Sequence, residues 1–406
     1  MKGLRNYLNK IKPKFEVGGK YGRFASTFEA FESFLYTPNT VTKQGAHIRD
    51  AMDLKRTMTV VIVALLPALL FGMFNVGYQH NNVALGLTDT TVMQNFWFGF
   101  LTVLPIIVVA YVVGLGIEFI FAEIRHEEVN EGFLVSGLLI PMVMPVDCPL
   151  WIVAVATAFA VIVGKEMFGG TGMNIFNPAL LARAFIFFAY PTAISGNEVW
   201  VAGLKGAANS GMHTHLVDGY SGATPLGDAA AALSSGTVQS ADAIQWSMGT
   251  TPIDWFYGLI PGSIGETSTL AILIGAFVLI WTGVGSWRIM LSTVVGGLVM
   301  GGIFNLVGAN VMMTIPAWYH LIIGGFAFGT VFMATDPVTA AQTNRGKWIY
   351  GFLIGVLCVL TRVLNPGYPE GMMLAILFMN AMVPLIDYYV VQGNVKRRLK
   401  RAKANA

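Results

Sequence analysis

The chain has 406 residues, 55% of them hydrophobic and 12% charged, with a formal net charge of +3 and a mean hydropathy of +0.63. A soluble domain carries about twice that charged fraction, so the composition excludes an ordinary soluble fold and predicts an all-α polytopic membrane protein. The small positive excess comes from basic ends, which bears on orientation in a membrane and gives no reason to expect a nucleic acid partner.

Residues 1–56 read as a charged cytoplasmic segment with no early apolar run beside a small-residue cleavage site, so no cleavable signal is expected. A membrane-crossing helix needs about 20 apolar residues. Ten stretches qualify: 57–78, 98–122, 131–146, 149–167, 178–194, 266–284, 289–308, 318–335, 348–364 and 371–391. Proline and polar residues interrupt the third and fifth. The division that follows is a first five-helix half at 57–194, an external loop at 195–265, a second half at 266–391 and a basic cytoplasmic tail at 392–406.

Orientation follows from the Lys/Arg bias. Lys43, Arg49, Lys55 and Arg56 precede the first span, and Lys396, Arg397, Arg398, Lys400, Arg401 and Lys403 follow the last. Both termini are therefore expected in the cytoplasm, which an even number of spans allows. Arg125, Lys165, Arg288, Arg345 and Lys347 fall on the same side, whereas 195–266 holds one Lys and no Arg and faces outward.

A faint internal repeat is visible. KRTMTVVIVALLPALLFGMFNVG (55–77) resembles WRIMLSTVVGGLVMGGIFNLVG (287–308), and GFLVSGLLIPMVMPVDCPLW (132–151) resembles GGFAFGTVFMATDPVTAAQTNRGKW (324–348). Two five-helix repeats with broken or re-entrant elements would suit a transporter-like architecture; shared composition alone is the other explanation. Cys148 and Cys358 have no CxxC or Cys/His spacing, so no transition-metal site is expected, and both read as small buried hydrophobes.

Ionisable groups inside spans are costly and face a cavity or a partner. Glu118 and Asp387 lie near the inner ends of the second and last spans, where each is either a site for a hard cation or a proton, or a helix-end carboxylate paired with a base. Lys165 and Glu166 are expected at the interface, and Arg183 and Arg362, within spans, need partners. Two inner stretches, FGGTGMNIFNPALLARAF and FMATDPVTAAQTN, look like broken elements. Their Thr171, Asn174, Asn177 and Asp336 supply donors and acceptors suited to the edge of a flavin-like ring; helix breaks capping one another are the alternative. No GxGxxG after a strand and no Walker A motif occurs, so nucleotide is not expected here by those routes.

In the external loop, GYSGATPLGD places Thr224 among Gly222, Ala223 and Pro225. Small neighbours leave its hydroxyl reachable, and proline with glycine argues against a regular helix. Such a threonine suits covalent modification by a separate enzyme, because nothing recognisable nearby would activate it; an ordinary turn is the alternative. His213 and His215 read as solvated rather than as a metal pair.

EVNEGFLVSG, GKEMFGGTGMNIFNPALLARAFIFFAYP, DGYSGATPL, PGSIGETSTLAILIGA, GGFAFGTVFMATDPV and NPGYPEGMMLAILF together resemble the B subunit of the Na+-translocating NADH:quinone oxidoreductases, the six-subunit Nqr complexes of the bacterial inner membrane. FEVGGKYGRF and FLYTPNTVTKQGAHIRDAMDLKR resemble that family's N-terminal extension, which favours it over the shorter D subunit of the related Rnf complex. The resemblance implies covalent FMN on Thr224 through a phosphoester, within the motif Ser221, Gly222, Ala223, Thr224, installed by a flavin transferase. It also implies a non-covalent riboflavin, a part in the ubiquinone site, and coupling to Na+ export. Electrons would arrive from the FMN-bearing C subunit, and the NADH site would lie on the F subunit. Glu118 and Asp387 match acids linked to Na+ uptake. Gly114 matches the first glycine of a pair associated with the quinone region, but the sequence here is Gly114-Leu115-Gly116. A non-redox secondary transporter or channel, an Rnf-type subunit and an assembly scaffold are the rival readings.

Overall fold

The computed structural model describes residues 2–15, 54–125, 132–204, 220–236, 240–246, 249–365 and 367–404, with positions 19, 22, 28, 44–46 and 238. Lys43, Arg49, the Lys55 side chain, His213 and His215 lie outside the described residues. Helix is the only regular structure among those described. The chain is an all-α polytopic membrane protein.

Helix α1 (Lys2–Phe15) precedes the membrane part. The first half holds α2 (Leu54–Tyr78), which runs into a π-helical turn at Gln79–Ala84, then α3 (Val92–Arg125), α4 (Phe133–Met142), α5 (Leu150–Gly164) and α6 (Pro178–Ala189). Helix α7 (Pro225–Ser235) lies in the connection between the halves. The second half holds α8 (Thr269–Trp281), α9 (Trp287–Val307), α10 (Asn344–Leu364) and α11 (Met372–Ala404).

Among the described residues, six helices are long and apolar enough to cross a bilayer, namely those built on α2, α3, α5, α9, α10 and α11. Helices α4, α6 and α8 are apolar but only 10, 12 and 13 residues long. At 1.5 Å per residue they cover about 15–20 Å, against a hydrocarbon core of about 30 Å. To cross, they need irregular backbone for the remaining depth, which is tolerated where protein surrounds it.

The expected helix over 318–335 is corrected. The segment is broken into Tyr319–Ile322, Phe326–Phe328 and a π-helical turn at Gly329–Met333. Gly324 takes φ +63°, a left-handed conformation that a continuous helix cannot include. The two stretches that look alike in sequence, 132–151 and 324–348, are also alike locally. Each begins with a short helix and runs into an irregular turn at a proline, Pro145 and Pro337.

Hydrogen bonds sort the connections into two sets. In one, the Ile264 and Gly265 N–H groups donate to the Met144 and Met142 carbonyls, the Gly203 N–H donates to Asp147 Oδ1 at 3.0 Å, and Asn75 Nδ2 donates to the Ile260 carbonyl at 2.9 Å. In the other, Arg125 pairs with Glu166 at 2.9 Å, Asn177 bonds Asp336 at 3.3 Å, and Asp387 accepts from Thr343. The first set joins only segments assigned outside by the charge bias, and the second only segments assigned inside.

Helices α9 and α10 pack closely through Gly296 and Gly355, where an added Cβ would press on the opposing backbone. Small residues at such contacts let helices associate by packing, because lipid offers no hydrophobic gain between them. Large apolar side chains left on the perimeter, such as Trp281, Leu306 and Phe188, are suited to lipid.

Candidate functional site

Thr224 is the N-cap of α7. Its Oγ1 accepts the Gly227 N–H at 3.1 Å, and Pro225 takes the first helical position. The expectation that proline and glycine exclude a regular helix here is corrected. At that position the missing proline N–H is not needed and its fixed φ already suits the helix. Gly222 has φ +66°, and a Cβ there would meet the Asn197 carbonyl oxygen at 2.7 Å. The motif is therefore pressed against the 195–204 segment.

A pocket of about 250 Å³ opens beside Thr224, with Trp200, Phe187, Arg183, Glu266 and Tyr368 among its walls. Arg183 donates to both Glu266 carboxylate oxygens at 2.8 Å and pairs with Glu370 Oε2 at 2.9 Å. Arg362 instead donates to three backbone carbonyls, those of Glu370 at 2.9 Å, His320 at 2.6 Å and Ile323 at 3.1 Å. Both in-span arginines thus have the partners that burial demands. Sequence reasoning missed Glu266 as a wall of this site. Its one signal was a lone acid in the small-residue run PGSIGETS, which folds inward until Ile264 lies against Gly72 of α2.

On the other side of the motif, a second outer pocket of about 330 Å³ is lined by Ser221, Gly222, Ala223, Gln79, Asn82 and Asp254 among others. Burial raises the Tyr220 phenol above its ordinary range. Hydrogen bonds from the Thr251 hydroxyl and N–H hold the Asp254 carboxyl below the usual carboxylate range.

Thr171, Asn174, Asn177 and Asp336 all line one inner pocket, of about 90 Å³, together with Lys165 and Phe332. Asn177 caps α6 through Oδ1, which accepts the Ala179 and Leu180 N–H groups at 3.0 and 3.3 Å, while its Nδ2 donates to Asp336 Oδ2. Asp336 also accepts from the Val338 N–H at 3.0 Å and the Thr339 hydroxyl at 3.1 Å. The two broken elements meet here and cap one another in part. The donors and acceptors match a ring edge in kind, but the pocket is far smaller than the one beside Thr224.

Glu118 forms a buried ion pair with Lys165. Lys165 and Glu166, expected at the interface, are both buried, at 4% and 5% exposure, because each has a partner: Glu118 for Lys165 and Arg125 for Glu166. Gly114, one turn before Glu118 on the same buried face, is covered by the Phe133 ring, whereas Gly116 faces open space. Leu115, between these two glycines, packs partly buried against the core. Asp387 accepts the Gln342 N–H at 2.8 Å, the Thr343 N–H at 3.1 Å and the Thr343 hydroxyl at 2.5 Å, so it holds the turn that opens α10. No cluster of three His, Cys, Asp or Glu able to hold a metal occurs among the described residues.

Residues 41–396 match the family described as NQR2, RnfD, RnfE. The chain is 47% identical to the B subunit of the Na(+)-translocating NADH-quinone reductase of Azotobacter vinelandii, over 98% of this chain and 99% of that one. It is 45% identical to the protein of the same name from Pseudoalteromonas atlantica and 47% identical to that from Stutzerimonas stutzeri, with the same coverage in each case.

Proposed function

The chain belongs to the NQR2, RnfD, RnfE family, and we propose that it is the membrane subunit of a Na+-translocating NADH-quinone reductase that carries electrons from covalent FMN to riboflavin and on to ubiquinone. The observation that carries this reading is the placement of Thr224 on an aromatic-walled pocket at the start of a helix. A phosphate esterified to Oγ1 would lie at the positive end of α7, beside its first N–H groups. Bound flavin supplies two-electron uptake with one-electron release. The chain's own work would be to hold the phosphate end at Thr224, to wall the ring with Phe187 and Trp200, and to keep the charges of Arg183, Glu266 and Glu370 fixed in the pocket wall.

At the inner end, Thr171, Asn174, Asn177 and Asp336 are the residues proposed for riboflavin, Gly114 and Glu118 for the quinone region, and Glu118 and Asp387 for Na+. The C and F subunits of the complex and a flavin transferase are the proposed partners. An Rnf-type subunit is the rival that also carries electrons; a non-redox transporter gives no account of the motif.

The test is direct. The protein co-expressed with a flavin transferase, denatured and run on a gel, is expected to fluoresce under ultraviolet light, and Thr224→Ala to remove the band. No band from the wild-type chain would defeat the flavoprotein reading, and a band surviving in Thr224→Ala would defeat the assignment of the residue.

A further inference from the structure

We propose that Tyr368 and Thr267 are the side chains that hydrogen-bond the polar edge of the ring carried by Thr224, and that Arg183 positions both of them. The proposal rests on the flavin reading of Thr224 and names the residues that fix the ring.

Tyr368 and Thr267 both line the pocket that Thr224 lines. They are 6% and 5% exposed, and neither hydroxyl has a hydrogen-bond partner among the described residues. A buried hydroxyl without a partner is costly, so two of them in the wall of one pocket point to a polar occupant, which each oxygen meets once its side chain turns toward the cavity. The isoalloxazine edge alternates carbonyl oxygens and ring nitrogens with one N–H. A hydroxyl can donate or accept, so it suits any of these. The apolar walls serve the ring faces. Phe187 meets the Tyr368 ring edge-on, with centroids 4.5 Å apart, which fixes the plane of the phenol.

The two hydroxyls come from loops far apart in sequence, and Arg183 joins those loops. It bonds Glu266, the residue before Thr267, through two contacts at 2.8 Å, and Glu370, two residues after Tyr368, at 2.9 Å. A planar guanidinium held by two carboxylates leaves little freedom in their separation. Glu370 Oε1 is tied further by the Gly325 N–H at 3.3 Å. Arg183 thus sets the distance between Thr267 and Tyr368.

The experiment uses the assembled complex with the flavin transferase co-expressed. Tyr368→Phe and Thr267→Val remove the hydroxyls and keep the shapes. Both are expected to give the Thr224-linked fluorescent band at wild-type intensity, with a displaced visible absorption maximum and a displaced midpoint potential for that flavin. The double variant is expected to shift further than either single. Arg183→Lys, which keeps the charge and loses the fork, is expected to shift both readouts too, and Thr267→Ser to keep the wild-type values. An unchanged spectrum and midpoint in the double variant, with the band present, overturns the proposal and leaves the flavin reading standing. Equal spectra for Thr267→Val and Thr267→Ser overturn the role of Thr267 even if Tyr368 variants assemble poorly. A band that survives Thr224→Ala overturns the flavin assignment first, and this proposal with it.

Discussion

Lys165 closes an ion pair on Glu118 at the inner end of the second span, and both side chains are withdrawn from solvent. The carboxylate expected to receive a cation already holds one, supplied by the protein. Removing either partner alone leaves a buried uncompensated charge, which costs about 3–5 kcal/mol. Glu118→Gln and Lys165→Met are each expected to lower the melting temperature of the assembled complex, and the double variant to recover most of the loss. If Glu118 serves Na+, the recovered double variant still shows a weakened Na+ dependence of quinone reduction. A double variant with wild-type Na+ kinetics would reduce the pair to a structural one.

Asp387 makes a different case, because three donors converge on it from Gln342 and Thr343. Asp387→Asn keeps the shape and loses the charge. It is expected to cost about 1–2 kcal/mol through the weakened cap of α10 and to raise the Na+ concentration for half-maximal activity. Thermal unfolding and a Na+ titration on the same preparation separate the two effects. A stability loss with an unchanged Na+ requirement would leave Asp387 as a cap only.

The long helices are legible in the sequence because apolar runs of bilayer length have few other uses, and the charge bias gives their direction. The short and broken elements are harder. In 318–335 the run is apolar apart from His320, Thr330 and Thr335, and the adjacent Gly324 and Gly325 mark the break. Pro225 reads as a helix breaker although at a first helical position it is a helix starter; the distinction depends on Thr224 acting as the cap, which a four-residue pattern does not settle. The grouping of Thr171, Asn174, Asn177 and Asp336 is legible from side-chain type and predicted side. The Arg183–Glu266–Glu370 network is not, because it unites three segments whose pairing leaves no local pattern.

The inner pocket gives a prediction about the riboflavin proposed for it. Asn177 both caps α6 and bonds Asp336, so Asn177→Ala removes two interactions while Asp336→Asn keeps a polar partner for Nδ2 or its equivalent. Riboflavin released by denaturing the complex, counted against the gel-fluorescent covalent flavin, is expected to fall in Asn177→Ala and Asn174→Ala with the covalent band unchanged. Equal riboflavin content in both variants and the wild type would move that flavin away from this pocket.

Gly222 offers a control that separates backbone strain from placement of the motif. Gly222 and Gly236 both have left-handed φ, +66° and +63°, at the two ends of the segment that carries α7. An alanine at either position is strained by the same backbone conformation, at a cost of roughly 1 kcal/mol. The surroundings differ. A Cβ at Gly236 meets nothing within 4 Å, whereas one at Gly222 meets the Asn197 carbonyl oxygen at 2.7 Å and Leu204 at 2.9 Å. Gly236→Ala is therefore expected to flavinylate normally with slightly lower stability. Gly222→Ala must push the loop off the 195–204 segment and carry Thr224 with it, so its fluorescent band is expected to weaken severalfold at equal protein. If the two variants label equally, contact with Asn197 does not set the position of Thr224, and reachability of the hydroxyl alone governs attachment.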